Sequence, residues 1–490
     1  MEGAHPGTRG PGTVRVTAVD PAPGTTTDDA DSLVVGVTAE IIRRARALRF
    51  TDLPDDVVLI AKQCLLDWIG VTVAGAGEPA TTILREEVLA EAGPPRATLI
   101  GTGQRVGPSQ AALVNGTAAH ALDYDDVVPA MSGHPSAPVL SALLAVAEDT
   151  RLDGRGILTA FVAGSETECR VARLVAPGHY GSGWHATGTI GTFGAAAACA
   201  SAMGLSEREW EHTLGLAATQ AAGLKAVFGT MAKPFHVGKA AASGLLSARL
   251  AGRGFTSRPG ILEAANGFAA AMTTTVNADR ALELGTDQFE LRNVLFKYHA
   301  ACYAIHASLE GTLRLAEQHA LGAADIARVE LRVPPPVYAA CTNNSPRTPL
   351  EAKFSLGYVV ALALSGDGTG ASAFTQEHLR DPGVRALSER VTCTLAPAIT
   401  EKFAAEVTII TASGRTLTTT TDVSVPARGD TELSRQSDRL TAKFRDLVRP
   451  VVGTEAAEAL IAAVGNIDSC TTARELAMLS SPRVTQLKSP

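Results

Sequence analysis

At 490 residues, with 46% hydrophobic and 19% charged residues, the chain exceeds one ordinary domain and points to two domains around a large core. A net charge of -7 without a long run of one sign argues against nucleic acid, which selects a basic patch. No apolar run reaches the roughly 18 residues needed to cross a membrane, and seven scattered cysteines (Cys64, Cys169, Cys199, Cys302, Cys341, Cys393, Cys470) without a CxxC pair argue against a disulfide framework or structural zinc and for a reducing, cytoplasmic compartment.

Residues 1–32 are rich in Gly, Pro, Thr and Asp and carry no basic or apolar signal region, so a disordered tail is expected there. Helical spacing starts near Leu33. Pro54-Asp55-Asp56 opens a helix that is apolar nearly all round through Val71 and is expected to be buried. A helix over 79–92 and an extended piece over 97–102 follow. Helices are then expected at 108–123, 135–150, 153–174, 185–204, 206–223 and 234–252, rich in Ala and Gly. Ser206 with Glu209 forms a capping box.

The pattern changes near Asn277. Ile326 to Val333 alternates as a strand does. Two Thr- and Val-rich runs, 403–412 and 415–423, flank a hairpin turn. Helices near 302–320, 352–365 and 372–379 lie between them. After Pro426 helices return at 433–447, 454–464 and 471–479. The expected fold is mostly α. A large helical domain (33–276 and 430–482, discontinuous) carries a smaller α+β lid domain (277–429), and the C-terminal helices return to the first domain.

The polar residues concentrate in 115–136, where His120, Asp123, Asp125, Asp126 and His134 stand among small apolar neighbours. Clustered carboxylates suit hard cations, yet calcium-loop spacing and any HExxH are missing; one of the acids alternatively caps a helix. His134 precedes a helix, either as a neutral proton shuttle or as a plain cap. His185 and Lys233 stand at two more helix entrances. A cation there opposes the helix dipole unless an anion, such as a substrate carboxylate, binds between; three unrelated caps is the duller reading. Cys302 reads as a nucleophile with His299 or His306, or as a small buried hydrophobe. Tyr358 reads as core or as a proton donor. Gly101 to Gly107 fits neither nucleotide-loop pattern and reads as a turn.

Seven motifs in order resemble the MmgE/PrpD family. They are Leu65-Leu-Asp-Trp-Ile-Gly70, Asn115 through Asp126, Gly133-His-Pro-Ser136, Gly183-Trp-His-Ala-Thr-Gly188, Ala232-Lys-Pro-Phe-His-Val-Gly238, Phe296-Lys297 with His306, and Ala352-Lys-Phe-Ser355 with Tyr358. The resemblance implies a homodimer with no metal or organic cofactor. It also implies a pocket between the domains, with Asp123, His134, His185, Lys233 and Tyr358 as catalytic residues and Asp126, Val127, His236 and Cys302 contacting substrate. Two positions depart from the family pattern. Val127 stands where the dehydratase and decarboxylase branches usually have Thr, and Cys302 where the animal decarboxylase has His.

The implied activity is a lyase, dehydratase or decarboxylase, on a small di- or tricarboxylate such as 2-methylcitrate or cis-aconitate. Its difficult step is proton transfer at carbon beside a carboxylate. In this expectation His134 moves the proton, Asp123 orients it, Lys233 and His185 hold carboxylates, and Tyr358 closes the pocket. An epimerase of an iminodisuccinate-like acid is the second expectation, and an inactive binding homologue the third.

Overall fold

The computed structural model describes residues 36–91, 93–283, 288–343, 345–469 and 472–482. The expected tail lies outside them, as does Cys470.

Helix Asp55–Gly75 starts after Pro54 with two acids in its first turn and is buried along most of its length. Among the described residues it is the one helix long and apolar enough to cross a bilayer, and most of it is covered by other helices. The expectation that no segment qualifies is corrected here. Gln63 and Asp67 interrupt the apolar run in sequence, but both face helix Gly429–Val452: Gln63 donates to Leu433 O at 3.0 Å, and Asp67 meets Lys443 at 2.6 Å. Phe444 packs over Gly70, and Trp68 donates to Ser141 Oγ at 3.1 Å. The Leu65–Gly70 motif therefore fastens the C-terminal helix to the body.

Small residues set the spacing of the other helices. Helices Pro108–Ala121 and Ala232–Ala251 cross backbone to backbone at Gly116 and Gly238. A Cβ on Gly238 would lie 2.1 Å from Leu113 O, and one on Gly116 would lie 2.7 Å from Gly238 Cα. Helices Gly154–Val175 and Gly191–Ala202 meet in the same way, at Gly164 and Gly194. The expected single helix over 185–204 is two, Ala186–Thr189 and Gly191–Ala202.

The lid carries a four-stranded sheet. Strand Ile326–Val333 pairs in parallel with Val391–Leu395 and antiparallel with Ala404–Thr411, which forms a hairpin with Thr416–Asp422. Gly414, at φ 83°, supplies the turn's left-handed residue. Helix His306–Gln318 covers one face. Strand Val391–Leu395 was not anticipated. It is short and largely exposed, so neither alternation nor a long apolar run marks it in sequence.

Gly238→Ala is expected to destabilise the protein by about 1–3 kcal/mol or more, because a rigid carbonyl occupies the methyl's place. Because the same crossing places Lys233, activity should fall as well. Thermal unfolding beside a turnover assay checks both, and an unchanged Tm would remove the crossing from the argument.

Candidate active site

Helix Pro108–Ala121 ends at a loop held from three directions. Three consecutive carbonyls at its end each accept a hydrogen bond from a buried lysine. Lys353 donates to Leu122 O at 3.0 Å, Lys297 to Asp123 O at 2.6 Å, and Lys443 to Tyr124 O at 2.7 Å. The negative end of the helix dipole suits these cations. Asp123 takes the left-handed conformation, φ 51°, at the position past a helix end that glycine usually fills. A non-glycine residue kept there marks a site where the side chain matters. Tyr124 donates to Tyr298 O at 2.8 Å, and Val127 pairs with Leu295 in an isolated antiparallel bridge.

The Asp123 carboxylate receives Lys233 at 2.9 Å and Lys297 at 3.0 Å, both on Oδ1. Burial raises its pKa, but the two ammonium groups outweigh that and hold the carboxyl well below the usual range. Asp125 is also buried and is likewise held low, here by His120 and His134. His120 Nδ1 lies 2.9 Å from both Asp125 oxygens. His134 Nδ1 approaches Asp125 at 3.3 Å, without hydrogen-bond geometry, and its Nε2 lies 3.8 Å from Asp123. His134 N donates to Thr187 Oγ1 at 3.1 Å.

Burial pushes His120 down to about 4 despite Asp125, so the ring is neutral near pH 7. Its Nδ1–H goes to Asp125, which leaves Nε2 as a buried lone pair with no protein partner among the described residues. The His120 ring centroid is 4.5 Å from that of His134 and 6.0 Å from that of His185. His185 is held far below its ordinary value, by burial first and then by nearby His120 and Lys233. Its Nδ1 meets His236 Nδ1 at 3.1 Å.

The three helix entrances therefore converge: His134, His185 and Lys233 surround Asp123 and His120. Two cavities open on this wall. One of about 480 Å³ is lined by His120, Asp123, Lys233 and Lys353. The other, about 320 Å³, is lined by Val127, His134, Tyr180, Cys302 and Lys402.

Two expected residues fall elsewhere. Tyr358 lines a separate cavity with Arg347, Arg385 and Ser388. Ser355 caps the helix that carries it, and one turn on, the tyrosine emerges on another face; the motif's lysine, Lys353, is what reaches the site. Asp126 lies behind the wall, accepting from Ser136 N at 3.2 Å and from Ser136 Oγ, and so anchors the entrance of helix Ser136–Thr150. His120, Asp125, Lys297 and Lys353 were not among the expected site residues. The sequence cue for His120 and Asp125 was their presence in the polar stretch; Lys297 and Lys353 stood inside matched motifs.

Ligand atoms of His120, Asp123, Asp125 and His134 lie within 4.8 Å of one another, a set able to hold a cation. Lys233 and Lys297 already bring that positive charge to Asp123, so a cation would face two ammonium groups.

A helical body with a small lid, and a wall of buried lysines and neutral imidazoles, define a protein that binds small anions and moves protons. The chain belongs to the MmgE/PrpD family: the family's N-terminal domain matches residues 39–281 and its C-terminal domain residues 299–469. It is 28% identical over 396 residues to a cis-aconitate decarboxylase of Aspergillus terreus, covering 75% of this chain and 79% of that one. It is 26% identical over 452 residues to the cis-aconitate decarboxylase of Mus musculus, covering 89% and 91%. A cis-aconitate decarboxylase-like protein of Aspergillus oryzae is 26% identical over 477 residues, covering 91% and 97%.

Burial pushes Asp126 up to about 7 from 3.8, against the lowering effect of its bonds to Ser136. A raised folded-state value means the protein gains stability from this proton below pH 3.8 and loses it as pH rises through about 7. Wild-type Tm should therefore fall, relative to Asp126→Asn, between those limits. Parallel pH–Tm curves for the two proteins would contradict this.

Proposed function

We propose that the protein is a lyase that decarboxylates a small tricarboxylate of the cis-aconitate type. The observation that carries this reading is the charge balance at Asp123. Lys233 and Lys297 bond its carboxylate directly, and Lys353 lines the same cavity. Two ammonium groups on one carboxylate and a third in the same cavity favour an anion there, and buried helix entrances add their dipoles. The resemblance to cis-aconitate decarboxylases supports the choice of substrate.

In this reading Lys233, Lys353 and His185 hold carboxylates. Cleavage of the carbon–carbon bond to one carboxylate leaves an electron pair that spreads over the remaining unsaturated acid. The lysines stabilise that charge as it develops. His134 then delivers a proton to carbon, with Asp125 and Asp123 beside its two ring nitrogens. Val127 and Cys302 shape the apolar side of the pocket. The homodimer implied by the family and the cytoplasmic location expected from the cysteine usage belong to this same proposal.

Incubation with cis-aconitate should release carbon dioxide and give a product lighter by that mass. His134→Gln should lower kcat about 10²–10⁴-fold, the usual contribution of a general acid. Gain of water, the reverse of a dehydration, would move the assignment to a dehydratase. Unchanged composition with exchange of carbon-bound hydrogen for solvent deuterium would make the protein an isomerase of this acid. Near-normal turnover in His134→Gln would remove histidine as the proton donor.

A further inference from the structure

Two cysteines of the lid meet beside the cavity that holds His134. Cys302 N donates to Lys353 O at 2.9 Å, and Thr342 pairs with Ser355 in an isolated antiparallel bridge. The 353–355 segment thus holds Cys302 on one side and the end of helix Pro335–Cys341 on the other. That helix also packs against the Tyr303–Ile305 turn. Cys302 shares its cavity wall with Val337 and Ala340, the residue before Cys341, and the two thiols are close enough to shift each other's pKa.

The two thiols are unequal. Cys302 is half-buried and lines the cavity, whereas Cys341 is fully buried. The neighbouring Cys341 thiol lowers Cys302, and Cys302 together with burial raises Cys341. The reachable sulfur is the nucleophile and the sheltered one the proton donor, the arrangement of an attacking and a resolving cysteine. Burial raises the thiols of Cys64, Cys169, Cys199 and Cys393 instead.

We propose that Cys302 and Cys341 are an oxidisable dithiol in the cavity wall, closing to a disulfide when a peroxide enters. The Cys302 thiolate attacks one peroxide oxygen and the O–O bond breaks. This gives a sulfenic acid, and the departing hydroxide takes up a proton as water. The Cys341 sulfur then attacks the Cys302 sulfur. The S–O bond breaks and a second water leaves with the thiol proton. Two thiols and one hydrogen peroxide become one disulfide and two waters. Closing the pair to the ~2.05 Å S–S bond requires side-chain rotation and an approach of helix Pro335–Cys341. The closed form withdraws a sulfur from the cavity and ties the Tyr303–Ile305 turn to helix Pro335–Cys341.

The test treats the full chain with stoichiometric hydrogen peroxide, blocks free thiols and digests with trypsin without reduction. Cleavage after Lys and Arg isolates Cys302 in 298–314, Cys341 in 333–347 and Cys393 in 391–402. The expected product is 298–314 joined to 333–347, lighter than their sum by two hydrogens and separated by dithiothreitol. Cys393→Ala should leave that species unchanged. With excess peroxide, Cys302 in Cys341→Ala or Cys341→Ser should gain two or three oxygens that dithiothreitol does not remove. Cys302 over-oxidised in the wild type with no cross-link, or a cross-link through Cys393, would overturn the proposal. The wild-type masses decide this even if a Cys341 variant fails to fold.

Discussion

Three lysines from three distant segments bond three successive carbonyls at the end of one helix, and the rest of the site depends on that arrangement. Lys353 and Lys297 approach Leu122 and Asp123 from two segments of the lid, and Lys443 approaches Tyr124 from helix Gly429–Val452. A buried ammonium is costly unless its charge and donors are met. Here each is met by a carbonyl at the negative end of a helix, and two also by carboxylates: Asp123 for Lys297 and Asp67 for Lys443. The loop cannot move without stranding a buried charge, so Asp123 stays in its left-handed conformation and its carboxylate faces the cavity.

The second constraint is steric. Helices can bring His134, His185 and Lys233 to one point only if their axes run close, and Gly116 against Gly238 allows that. The Ala-rich helix Gly191–Ala202, buried nearly throughout, packs by the same means. Small side chains here position helix entrances as well as filling a core.

Within the site the two carboxylates divide the work. Asp123 neutralises lysines and Asp125 orients imidazoles. Because burial keeps His120 neutral, its proton stays on the nitrogen facing Asp125 and the other nitrogen is free to accept. One wall therefore offers both cationic binding groups and groups that exchange protons.

The helical body, the hairpin at 404–422, and the gathering of polar residues in 115–136 and at the helix entrances of His134, His185 and Lys233 were legible in the sequence. They rest on periodicity, turn chemistry and polar residues out of place among alanines, all of which are local. The short strand Val391–Leu395 was not legible, because it exists only by pairing with Ile326–Val333. Nor were the demotion of Tyr358 and Asp126, the recruitment of Lys297 and Lys353, or the meeting of Cys302 with Cys341. By itself the sequence determined which residue types and helix entrances the protein has, since capping and amphipathic spacing act over a few residues. Only the tertiary structure decided which of those side chains share a cavity. A residue one turn further along a helix faces elsewhere, and contacts between segments a hundred or more residues apart, such as Lys297 with Asp123, leave no local trace.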